Sequence, residues 1–138
     1  MTWPSYSPKM FEFIRTDTQM AGIDATALEF MAASTAVCRV PKVVCIYKPA
    51  GVAYTIAAGA RLEIRDKETA PNILFSIPAD GFLDQTTAQS RVVLPSEGAY
   101  RVVNSGLTLW ATGAITAAAG TQPDVNFRLF YDEYEVAW

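Results

Sequence analysis

RLEIRDK, residues 61–67, sets Leu62 and Ile64 on one side of an extended chain and Arg61, Glu63, Arg65 and Lys67 on the other. A two-residue period of this kind marks a β-strand with one buried and one solvated face. Similar short segments flank it: AVCRVPKVVCIY (36–47), VAYTI (52–56), ILFSI (73–77), SRVVLP (90–95), AYRVV (99–103), LTLWATGAI (107–115) and VNFRLFYDEYEV (125–136). Turn residues separate them at 48–51, 66–72, 78–81, 96–98 and 104–106, and Asn104-Ser105-Gly106 suits a tight hairpin. About eight short strands, with no helices alternating between them, predict a single all-β domain: an antiparallel β-sandwich or a barrel.

Residues 1–24 read differently. Pro4 and Pro8 oppose an early helix, and Trp3, Tyr6, Met10, Phe11, Phe13 and Ile14 are interspersed with polar residues. This segment is expected to be an extended N-terminal arm, with the sandwich occupying residues 25–138. Two placements are open to the arm. It folds back as a strand over the domain's own core, or it lies along a neighbouring subunit. DATALEFMAA (24–33) is compatible with a short helix capped by Asp24, Leu28 and Met31 sharing a face, and equally with a strand.

Composition removes several kinds of chemistry. The 138 residues include no histidine and only two cysteines. Histidine is the usual proton shuttle near neutral pH and the commonest metal ligand, so Ser-His and Cys-His nucleophile pairs and histidine-bound metals are ruled out. The net charge is −3 and no basic cluster exceeds two residues, so a nucleic-acid partner is not expected. No apolar run is long enough to span a membrane, and the first residues lack the pattern of a secretory signal, so a soluble product of the cytoplasm is expected. Cys38 and Cys45 lie seven positions apart, roughly 23 Å at ~3.3 Å per residue if extended, and their odd offset predicts opposite faces. That is too far for a disulfide, so two reduced, buried cysteines are expected, with an intermolecular bridge or a reactive thiol as the alternative.

Carboxylates are the remaining candidates for catalysis. Asp80 and Asp84 flank a turn, and Asp132, Glu133 and Glu135 cluster near the C-terminus, but a turn residue and a solvated strand end account for them. DKETAPN (66–72) lacks the density of oxygen ligands a calcium loop needs. GAITAAAG (113–120) lacks the Lys-Ser/Thr of a phosphate loop. No cofactor is expected and the chain is not read as an enzyme. Aromatic residues are the better signal. Trp110 falls on the polar side of its strand, and with Tyr54, Tyr100, Tyr134 and Trp138 it could stack on a sugar or anchor a protein contact. The candidates for a protein interface are Trp3, Tyr6, Phe11, Phe13, Trp110, Tyr134 and Trp138.

One further pattern spans most of the domain. Tyr47, Lys48, Pro49, Gly51, Tyr54 and Thr55 are followed by a strand ending in Asp66-Lys67. Then come Phe75-Ser76-Ile77-Pro78 with Gly81-Phe82-Leu83-Asp84-Gln85, and a closing strand with Phe130-Tyr131-Asp132. Over residues 36–136 this resembles the capsid cement (decoration) proteins of short-tailed bacteriophages, small structural proteins from tailed-phage gene clusters. Residues 1–35 carry no such resemblance. It implies a jelly-roll sandwich on the outside of a phage head, often dimeric, made in the host cytoplasm and bound to the major capsid protein across neighbouring capsomers. Gly81 would permit a turn, and Phe82 or Leu83 would fill the core. A carbohydrate-binding jelly-roll of a fibre or spike, used in host attachment and with a glycan on Trp110, is the alternative function.

Overall fold

The computed structural model describes residues 6–96 and 103–135. Its strands are β1 (Tyr6–Arg15), β2 (Leu28–Met31), β3 (Val37–Lys48), β4 (Thr55–Ile56), β5 (Arg61–Asp66), β6 (Ile73–Pro78), β7 (Gln89–Val93), β8 (Leu107–Ala111), β9 (Ile115–Thr116) and β10 (Val125–Glu135). A single turn of helix, α1 (Asp17–Met20), follows β1. Every pairing is antiparallel. Two four-stranded sheets form, in the orders β1-β10-β3-β7 and β2-β8-β5-β6, with β4 and β9 as a small separate ribbon. The chain changes sheet at almost every connection, which is the weave of a jelly-roll β-sandwich.

Alternation predicts the inner faces well. Leu62 and Ile64 of β5, Leu107, Leu109 and Ala111 of β8, and Val125, Phe127, Leu129 and Tyr131 of β10 are all buried between the sheets. Phe127 stacks on Phe13 with ring centres 4.7 Å apart, and Phe30 from the other sheet stacks on Phe13 at 4.2 Å. These three rings join the sheets at one end of the core.

The arm takes the first of its two placements. β1 pairs with β10 from Tyr6 opposite Tyr134 to Arg15 opposite Val125. Phe13, Met20 and Ile23 are buried in the core, so residues 6–23 are an edge strand and cap of the sandwich, not an appendage to it. The helix there was not anticipated. Its cause is a capping box, Thr16-x-x-Gln19: the Thr16 hydroxyl accepts from the Gln19 amide, and the Gln19 side chain accepts from the Thr16 amide. Residues 28–31 resolve as strand. A register shift between Glu29 and Met31 lets Leu28 and Met31, three positions apart, both turn toward the core.

Three local expectations are corrected. Asn104-Ser105-Gly106 does not close a hairpin, because Val103 bridges Arg39 of β3 while β8 pairs with β2 and β5 in the other sheet. Glu63 is not solvated: Arg65 folds over it and donates from Nε at 2.9 Å, leaving the carboxylate buried. Cys38 and Cys45 do not face opposite ways. β3 carries an extra residue where Tyr131 faces Pro41 and Phe130 faces Val43, and that bulge inverts the alternation. Both cysteines therefore lie on the face of Tyr134 and Arg128, half-buried and unbridged.

Candidate functional site

Lys48, Gly51 and Tyr54 fasten loops of the sandwich. Lys48 is fully buried, and its Nζ donates to the carbonyls of Pro49 and Thr87 at 2.9 Å each; burial lowers its pKa. The Gly51 amide donates to Thr86 O, and a Cβ at this glycine would lie 3.2 Å from the Pro123 ring, a tight contact that would make the ring shift by a few tenths of an ångström. The Tyr54 hydroxyl donates to Pro123 O at 2.6 Å. Burial pushes that hydroxyl's pKa up, and the charges of Asp17 and Asp124 add to the effect, so it stays a donor. Gly81 adopts φ +75°, and Phe82 and Leu83 are both fully buried, so both fill the core. These are folding devices. Tyr54→Phe should lower unfolding free energy by about 1 kcal/mol, read from the urea midpoint, because Pro123 loses its donor.

Asp17 is the other clamp. Its carboxylate accepts from the amides of Thr121, Gln122 and Thr18 at 2.9, 3.2 and 2.7 Å, tying α1 to the 116–124 loop. Burial pushes its pKa up, but the amide hydrogen bonds outweigh burial and hold it below the ordinary 3.8. A carboxylate whose folded pKa is depressed contributes stability above its unfolded pKa and loses it as pH falls through the folded one. The urea midpoint should therefore fall as pH drops below about 4, and Asp17→Asn should flatten that acid slope.

The feature that looks outward is the exposed side of the β1-β10-β3-β7 sheet. Register sets its side chains in cross-strand rows. One row holds Ile14, Asn126, Tyr47 and Ser90; the next holds Glu12, Arg128, Cys45 and Val92. Met10, Phe130 and Val43 form the third, and Leu94, two residues past Val92, follows β7. Eight large apolar side chains are exposed among the described residues, and six of them are here: Met10, Ile14, Tyr47, Val92, Leu94 and Phe130, between 38% and 72% accessible. The polar groups of these rows are Asn126 and Ser90 in the first and, in the middle one, Arg128, whose Nε pairs with Glu12 at 3.1 Å. A groove of about 350 Å³ runs beside that pair, over Ile14, Cys45, Tyr47 and Val92. An apolar patch of this kind on one face of a small domain marks a contact surface.

The other sheet presents the opposite character. Arg61 donates to Ser76 at 2.8 Å, Lys67 pairs with Glu29, and Arg65 covers Glu63. Trp110 sits among them half-buried, with the Arg65 guanidinium 4.9 Å from its ring centre, so one face of the indole is already occupied.

The interface candidates read from sequence scatter. Trp3 and Trp138 lie outside the described residues, as do Tyr100 and the side chain of Tyr6. Phe13 is a core residue and Phe11 packs half-buried against it, because β1 turns that phase inward. Tyr134 is half-buried on β10 opposite Cys38, and Trp110 belongs to the other sheet. None of the six exposed apolar residues is among those named candidates, although Met10 and Ile14 lie in the N-terminal segment expected to be a contact arm. Their signal was present, since β1, β3 and β10 carry apolar side chains in both phases of the alternation, as strands covered on both sides do. Among the described residues no three Cys, Asp or Glu side chains gather closely enough to hold a metal ion. No protein-family model matches the chain, and no curated protein matches it at a significant level.

Proposed function

We propose that this chain is a virion structural protein, a cement protein on the outside of a bacteriophage head that stabilises the shell by clamping neighbouring capsomers. The observation that carries the reading is the concentration of exposed large apolar side chains, six on one sheet against Ile73 alone on the opposite sheet among the described residues. A two-sided molecule of this kind covers a surface with one face and meets solvent with the other. The jelly-roll weave and the pattern of residues 36–136 support the same reading.

Mechanistically, a thin shell filled with self-repelling DNA is pulled outward, and each capsomer junction is held by many weak contacts. A clamp that buries roughly 1,200–2,000 Å² with its partners raises the cost of parting them. As a dimer it would engage two half-sites together and gain avidity without new contacts, and a two-fold clamp suits a junction between like capsomers. A glycan-binding role would use Trp110, whose occupied ring face makes it the weaker option.

The test is to add purified protein to heads of the encoding phage assembled without it. Saturation at hundreds of copies per particle, with heads that then withstand more heat and osmotic shock, is the expected result. Saturation at about a dozen copies, or heads equally robust with and without the protein, overturns the proposal.

A further inference from the structure

Four strands end the two sheets, β1 and β7 in one, β2 and β6 in the other. An edge strand offers a row of unpaired backbone N–H and C=O groups, and proteins guard such rows with proline, exposed charge, bulges or short length. β1 carries Pro8, Lys9 and Glu12 on its exposed positions. β2 has a register shift and Glu29 paired with Lys67. β6 ends in Pro78 and pairs with β5 through another register shift.

β7 is short, five residues, and Pro95 follows Leu94, but along its length it has neither a bulge nor an outward charge. It contains no proline and runs in unbroken register with β3. Its single charge, Arg91, is turned away: the guanidinium lies 4.8 Å from the centre of the Phe82 ring and donates to Gly81 O at 3.0 Å. What this edge shows is Val92 and, just past it, Leu94, the two most exposed large apolar side chains among the described residues. Among the described residues no strand lies beyond β7.

We infer that β7 is a docking edge, which an extended segment of the shell protein joins as a fifth strand with its alternate apolar side chains beside Val92 and Leu94. The inference rests on the cement reading and names the form of the partner. Backbone chemistry selects that form, because a row of alternating donors and acceptors is met only by another extended chain. Continuity selects the source. The groove beside Val92 and the apolar face are one surface, so a partner lying on the face brings a segment to the edge. A second copy paired edge to edge would extend the sheet in its own plane and leave Met10, Tyr47 and Phe130 uncovered.

Hydrogen exchange of the amides of residues 89–94 tests this, with the protein free and bound to empty heads of the encoding phage purified without it. Exchange there should slow by at least tenfold on binding. Val92→Lys/Leu94→Lys should weaken binding at least tenfold with an unchanged melting temperature, while Ile73→Lys, exposed on the other sheet, binds normally. Binding with no slowing at 89–94 overturns strand addition and leaves the cement reading standing. Slowing that appears in the free protein as concentration rises assigns the edge to a second copy and overturns the named partner. Absence of binding to the heads removes the cement reading itself, and this inference with it.

Discussion

Phe127→Ala should lower the unfolding free energy by about 3–5 kcal/mol, the largest effect of any single substitution considered for this protein. Phe127 is fully buried on β10 and lies flat against Phe13, with ring planes 1° apart, and Phe30 of the facing sheet completes the stack. Truncation removes the ring's transfer energy and leaves a void that both sheets border, which rigid sheets close poorly. Domains of this size have about 5–15 kcal/mol in total, so the variant should melt far earlier and have a much lower urea midpoint. Phe127→Leu keeps most of the volume and should cost less than half as much. A loss under 1 kcal/mol for the alanine variant would mean that the sheets are not joined through these rings.

The second large effect is on docking, not folding. Tyr47→Asp combined with Phe130→Asp places two carboxylates on the apolar face, at positions already exposed. Surface substitutions outside special features change stability little, so the melting temperature should move by only a few degrees. Binding to protein-free heads should weaken by at least 100-fold, about 2.7 kcal/mol, because each new charge must be desolvated against apolar surface. Co-sedimentation of folded variant with heads reads the difference. Binding at the original strength would place the contact surface elsewhere on the molecule.

The fold was legible because its deciding signal is short in range. Alternation in β5, β8 and β10 depends only on which side of the pleat a residue occupies, and every apolar residue assigned inward on those strands is inward. The features misread from sequence all depend on a partner strand. Pro41 marks a bulge or edge position in the sequence itself, and the structure has the bulge there, but that it turns Cys38 to the face of Cys45 shows only against β10. Glu63 is buried by Arg65, two residues along its own strand, in a neighbourhood completed by β6 and β8. The Thr16 capping box was visible as a local motif, but the aromatic and large apolar residues before it dominated the reading.

The contact face was harder to see for a related reason. Aromatic identity drew attention to Phe11, Phe13 and Trp110, yet position relative to the core decides exposure. Met10 and Ile14 differ from Phe11 and Phe13 by a single step along β1, and that step is the thickness of the sheet. Tyr47, Val92 and Phe130 come from three strands distant in the chain, and only their register makes them neighbours.

β10 lies between β1 and β3. The tenth strand is thus the one that zips the first to the third, so that half of the molecule has to wait, adhesive and unsealed, until β10 has left the ribosome. Nascent chains of this protein should depend on holding chaperones up to that moment, and products stopped before Val125 should be cleared as insoluble or degraded material.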